Sequence, residues 1–212
     1  MYVKEIWRYP VKSMGGELLQ TARLTATGIP GDRIVQVKYG RAHTATSRTF
    51  PDLLGFKATL DDTGTPRVDG KPWNDPEVQT AVARVVAPDA RLERYEGLDR
   101  FDILPLLVAT DGAIAEFGRD RRRLRPNLII GGVEGMAERT WEGGRILIGE
   151  AVIGIHDLRG RCNMTTFDPD TLAHDPGVLR DIVRRFGGKL ALNCEVIAGG
   201  EIRVNQEVRV LA

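Results

Sequence analysis

The chain has 212 residues, enough for one sizeable core or two small ones, and a formal net charge of +1. That near-balance argues against a dedicated nucleic-acid binder or a polybasic membrane protein, and 6% aromatic residues leave little for single-strand stacking platforms. Two isolated cysteines, Cys162 and Cys194, have no disulfide-framework spacing and fit a reducing, cytoplasmic setting. The N-terminus lacks the basic-then-apolar order of a signal peptide, and no apolar run approaches a bilayer span.

Val3 to Tyr9 places apolar residues at near-alternating positions and stops at Pro10, which predicts a short strand. Tyr9-Pro-Val-Lys-Ser-Met-Gly-Gly16 then reads as a turn bearing a lysine and a hydroxyl. Leu18 to Thr25 predicts a second strand. The Gly/Pro turn at Gly28–Gly31 delivers Asp32-Arg33 to a strand beginning at Ile34. Thr44 to Pro51 leads to an expected strand from Leu53 to Leu60, with hairpin signals at Asp61–Gly64 and Asp69-Gly70. Thr80 to Tyr95 predicts two short strands around Pro88. Closely spaced short strands point to an all-β barrel or sandwich in this half.

Leu104 to Thr110 is apolar, and Asp111 precedes a short helix as an expected cap. The run Arg119–Arg125 reads as a solvated face and opens, through Pro126-Asn127, the strand at Leu128. Alternating apolar positions from Arg145 to Ile155 lead to Asp157-Leu-Arg-Gly-Arg-Cys-Asn-Met-Thr-Thr-Phe-Asp-Pro-Asp-Thr171. Asp175-Pro176 starts the clearest helix, which Gly187-Gly188 ends, and strands at Leu190–Ile197 and Glu207–Leu211 close the chain.

His43, His156 and His174 stand apart and offer no metal-ligand spacing, and no dinucleotide, P-loop or nucleophile-elbow pattern occurs. Four polar clusters remain at strand ends: Lys12-Ser13, Asp32-Arg33, Arg125-Pro-Asn127 and Arg161-Cys162. If they converge at one mouth, they offer cations and donors for a phosphate-bearing ligand, with one thiol for a soft metal that ligand carries. Arginine beside the thiol and hydroxyls beyond it favour a thiolate. The bland alternative is a small buried hydrophobe at Cys162.

The order Tyr-Pro-Val-Lys-Ser, Gly-x-x-x-Asp-Arg, Arg-Pro-Asn and Arg-Cys-x-x-Thr-Thr-x-Asp-Pro-Asp-Thr resembles the MOSC-domain family, named for the molybdenum cofactor sulfurase C-terminal region. Within it the likeness is to the amidoxime-reducing components and their bacterial counterparts. The resemblance covers nearly the whole chain. It implies a mainly β fold with a few short helices: a smaller β-barrel-like region over 1–95, then a MOSC-type β-barrel over 96–212.

It also implies that Cys162 is the protein's thiolate ligand to molybdenum in a molybdenum–molybdopterin cofactor. Lys12, Ser13, Arg33, Arg48, Arg125 and Asn127 match the family's cofactor-binding positions, Arg161 adjoins the ligand cysteine, and Thr110 and Asp111 lie where members place cofactor-facing polar residues. The implied activity is reduction of small N-hydroxylated compounds with electrons from a separate donor protein. Two cysteines cannot hold a four-cysteine iron–sulfur cluster, and pyridoxal phosphate, nucleic acid and membrane are not expected partners. Departures from the family pattern are Ile34-Val35 after Asp-Arg, Leu124 before Arg-Pro-Asn, and Arg139 where an acid is usual near the cofactor mouth. A carrier of the cofactor, or of sulfur as a persulfide on Cys162, is the alternative function. A barrel that has lost its ligand and serves only for interaction is the third.

Overall fold

The computed structural model describes residues 1–211. The first part contains β1 (Tyr2–Arg8), β2 (Glu17–Leu19), β3 (Thr21–Leu24), β4 (Val35–Tyr39) and β5 (His43–Ala45). It continues through β6 (Ala58–Leu60), β7 (Pro66–Val68), β8 (Lys71–Pro72), α1 (Pro76–Val85) and β9 (Arg91–Arg94). The second part begins with β10 (Leu106–Thr110), α2 (Asp111–Phe117), β11 (Leu128–Gly131), β12 (Arg145–Ile148) and β13 (Ala151–Gly160). It ends with α3 (Pro176–Phe186), β14 (Lys189–Ala198), β15 (Gly200–Arg203) and β16 (Arg209–Leu211). The protein is mainly β with a few short helices, as its sequence implies.

One eight-stranded ladder, in the order β16-β12-β13-β14-β10-β11-β1-β2, forms the larger layer. Among the described residues its only parallel pair is β10 with β11, joined through α2 as a crossover. Sheet pairing runs across the expected division at 95/96. β1 pairs with β11, and β3 pairs with β15. The core of this layer, including Val3, Ile6, Val108, Ile130, Ile153 and Leu192, therefore draws on both ends of the chain. A second core under β4, β9 and α1 gathers Val35, Val37, Leu53, Val78, Val82 and Leu92. A third joins α2 and α3 through Phe117, Ile182 and Phe186.

Two sequence expectations fail for local reasons. The apolar run from Leu53 is not one strand: Pro51 opens a 3-10 turn, Pro51–Gly55, and only Ala58–Leu60 pairs. Of the two strands expected around Pro88, the second forms as β9 but the first is instead α1. Asp75 caps α1 by accepting from the Glu77 N–H, Pro76 sits at the first turn, and Val78 and Val82 bury one face. At α2 the cap is Thr110, whose hydroxyl accepts from the Ala113 N–H, and Asp111 lies inside the helix.

Candidate cofactor site

β1 ends where Pro10 removes the donor needed to continue the ladder. The chain then turns back under the Asp32 carboxylate, which is fully buried. Asp32 accepts from the Tyr9 N–H at 2.7 Å and from Asn127 Nδ2 at 3.2 Å, and it pairs with the Arg33 guanidinium. One carboxylate thus fixes two of the sequence clusters, Asp32-Arg33 and Arg125-Pro-Asn127, against Tyr9. Asn127 is held further by donating to the Trp7 carbonyl and accepting from the Leu107 N–H. Its amide is fully engaged inside the protein, so its contribution is to position its neighbours.

Ser13, Arg33 and Arg125 all have left-handed backbones, with φ of 71°, 55° and 57°. Such conformations cost of order 1 kcal/mol or more per non-glycine residue and persist where the surroundings enforce them. The Ser13 hydroxyl accepts from the Ser47 N–H at 3.0 Å, which leaves its own proton for a ligand. Arg125 lies over Tyr9, with its guanidinium 4.4 Å from the ring centroid. Burial lowers the Arg125 guanidinium to about 10 and pushes the Tyr9 phenol up to about 12. Arg125 remains charged at neutral pH.

From the other side, β13 delivers Arg159, Arg161 and Cys162. Cys162 has an extended backbone, is partly exposed, and precedes a 3-10 turn, Asn163–Thr166. The hydroxyls expected to assist the thiol do not face it. Thr165 donates back to the Cys162 carbonyl at 2.8 Å, and Thr166 donates to the Asn163 carbonyl at 2.5 Å. They tighten the turn that presents the cysteine. The arginine run is also more than a solvated face. Arg123 donates to Asp168 at 2.9 Å and to the Thr165 carbonyl, bracing the same loop.

These elements enclose one cavity of about 80 Å³. Of the expected site residues, Lys12, Ser13, Arg33, Arg48, Arg125, Asn127, Arg161 and Cys162 line it. Thr110 does not. It is buried at the end of β10, capping α2 and donating to the Glu138 carboxylate. Arg139 is likewise absent from the lining, because its guanidinium donates to the Phe186 and Lys189 carbonyls. Cys194 is a fully buried core thiol whose pKa burial pushes far up.

Sequence reasoning missed Asp102, Arg123, Arg159 and Asn193, which also line the cavity. Asp102 is the central one. It meets Lys12 Nζ at 3.1 Å, Arg48 Nη2 at 3.1 Å and Arg159 Nη2 at 3.2 Å. Burial alone would raise the Asp102 carboxyl, but those three cations outweigh it and hold it below the usual carboxylate range. The lining as a whole sets seven Lys and Arg side chains against this single carboxylate.

That imbalance suits an anionic ligand with several oxygens. Arg161 adds a buried Nε with no hydrogen-bond partner, while its Nη2 donates to the Leu124 carbonyl at 2.8 Å. Burial brings its guanidinium down to about 10. Among the described residues no group of three His, Cys, Asp or Glu could hold a metal ion. A metal at Cys162 must therefore arrive with its other ligands already attached. One thiol, an orphaned guanidine donor and a ring of cations fit an anionic organic group carrying a soft metal.

Fold and site together define a two-part β protein with a cationic, thiol-bearing cavity where the parts meet. The chain belongs to the MOSC family: residues 1–102 match the MOSC N-terminal beta barrel domain, and residues 111–209 match the MOSC domain. It is 32% identical to mitochondrial amidoxime reducing component 2 of Homo sapiens, over 80% of this chain and 67% of that protein. Component 2 of Bos taurus is 24% identical over the same shares. The crystal structure of the YuaD protein from Bacillus subtilis has the same fold. It superposes with a TM-score of 0.55 at 14% identity, covering 99% of this chain and 94% of that one.

Proposed function

We propose that this protein binds a molybdenum–molybdopterin cofactor through Cys162 and reduces N-hydroxylated compounds. The observation that carries the reading is the meeting of seven cations with one partly exposed thiol in a single cavity. When bound, such a group supplies two-electron oxygen-atom chemistry at the metal. The chain's own residues have simpler tasks. Lys12, Arg48, Arg125 and Arg161 grip anionic oxygens, Ser13 donates a hydroxyl proton, and Arg33 and Asn127 hold the Tyr9–Asp32 bracket beneath them. The Cys162 sulfur is the one protein ligand offered to the metal.

The overall change is R–NHOH + 2 e⁻ + 2 H⁺ → R–NH₂ + H₂O, with the N–O bond broken. Both electrons come from a separate donor protein. Likeness to proteins named as amidoxime reducing components supports the substrate class. Both cysteines are free, which supports a reducing cytoplasmic setting, and among the described residues no helix is long and apolar enough to cross a membrane. The test is turnover of a hydroxylamine by the purified protein with an artificial electron donor. Turnover lost in Cys162→Ala supports the reductase. Cyanide-labile sulfur on Cys162 without turnover would assign the carrier role instead.

A further inference from the structure

The cation-lined cavity holds about 80 Å³, room for a few water molecules, whereas sites for organic ligands run to about 300 Å³ or more. A cofactor-sized anion therefore enters only if part of the wall moves. One wall is a short strap, Phe101 to Leu104, in the stretch that joins the two parts of the fold. Both ends of the strap are fixed. Arg100 is buried and donates to the Asp32 and Thr27 carbonyls, each at 3.2 Å. At the other end Pro105 lies so close to Gly28 that a Cβ there would come within 3.1 Å of it. Between these anchors little holds Asp102, Ile103 and Leu104. Among the described residues none of their backbone N–H groups donates to a carbonyl, and Ile103 is 55% exposed. What draws the strap inward is the Asp102 carboxylate, which bridges Lys12 and Arg48 of the first part to Arg159 of the second.

We propose that the Asp102 strap is a latch: an anion with several oxygens displaces the carboxylate from Lys12, Arg48 and Arg159, and the strap swings out to open the cavity. Asp102 is then the ligand's stand-in while the cavity is empty. One anion replaces another on the same cations, so opening costs little once such a ligand is present. A neutral molecule makes no contact that favours the open form, and it leaves the latch shut. The proposal deepens the reading of the cavity as the site of an anionic cofactor and rests on that part of it alone.

Brief proteinase K digestion of the cofactor-free protein, read by mass spectrometry, reports on the strap, because cleavage follows the population of the open form. Cuts between Phe101 and Pro105 are scored against cuts elsewhere in the chain, which corrects for global stability. Saturating pyrophosphate should raise strap cleavage about tenfold or more over sodium chloride of equal ionic strength. Asp102→Asn should be cut at that faster rate without pyrophosphate, and adding it should change the rate little. Asp102→Glu, which keeps the charge, should stay near wild type until pyrophosphate is added. Protein loaded with cofactor should resemble pyrophosphate-bound wild type. Pyrophosphate that binds by calorimetry and leaves strap cleavage unchanged would overturn the latch, as would Asp102→Asn protein as resistant as wild type. Absence of pyrophosphate binding would overturn both the latch and the anion site. Protein that carries molybdenum behind a protected strap would keep the cofactor reading and remove the latch. A strap released by pyrophosphate in protein that takes up no molybdenum would do the reverse.

Discussion

Asp102 gives a prediction with two signs. Its carboxylate sits where an incoming anion would meet Lys12, Arg48 and Arg159, so it acts as an internal counter-ion for those cations. At about 3 Å and an effective dielectric constant near 20, each pair has a gross Coulomb term of about 5 kcal/mol. The carboxylate is 34% exposed and Arg48 is 49% exposed, so screening and desolvation remove most of that. A net loss of about 2 kcal/mol is expected for Asp102→Asn, which lowers Tm by roughly 4–8 °C in a chain of this size.

The same substitution removes a repulsion between Asp102 and a bound anion. With the charges about 5 Å apart, that repulsion is about 1–3 kcal/mol, so affinity should rise roughly five- to a hundredfold. Thermal unfolding of the cofactor-free protein and calorimetry with inorganic phosphate read the two effects separately. Stability should fall while phosphate binding tightens, most clearly at low salt. Phosphate affinity that falls or stays level would refute the placement of Asp102 as a competitor for the ligand's cations.

Burial pushes the Glu138 carboxyl up to about 6 from an ordinary 4.5, against the Thr110 hydroxyl that donates to it. The native state therefore binds the extra proton, and this group's stabilising contribution, complete below pH 4.5, is lost as pH rises through about 6. Denaturant titrations of wild type and Glu138→Gln should diverge across that window. The difference should reach about 2 kcal/mol in the variant's favour by pH 7; parallel curves would contradict the buried acid. Thr110→Ala removes a helix cap and the Glu138 donor together, and should cost about 2–3 kcal/mol in unfolding free energy. Molybdenum content should stay unchanged in that variant, because Thr110 lies outside the cavity; cofactor loss from a still-folded protein would return it to the site.

The linear motifs were legible because their chemistry is local. Lys12-Ser13, Arg125-Pro-Asn127 and Arg161-Cys162 each sit at a strand end, and the left-handed backbones at Ser13 and Arg125 are enforced by those turns. Asp102 was not legible. It follows the 3-10 turn Leu98–Arg100, belongs to no motif, and gains its role only when three distant cations arrive from separate elements. Thr165 and Thr166 were legible as a pattern but not in direction, since nothing in the spacing says that their hydroxyls donate backward to the turn. At α1 the signal was present: Asp75-Pro76 is the same cap-and-proline start as Asp175-Pro176. The β-prone valines after it outweighed that signal, although Val78 and Val82 stand at helical spacing.

The most direct test of the cofactor site is metal and pterin analysis of protein made in a host that synthesises molybdenum cofactor. Wild type should carry about one molybdenum and one pterin per chain, and Cys162→Ala should lose the metal while remaining folded. Protein that is folded, proven to have been supplied with cofactor, and still free of both molybdenum and pterin would contradict the assignment of this cavity.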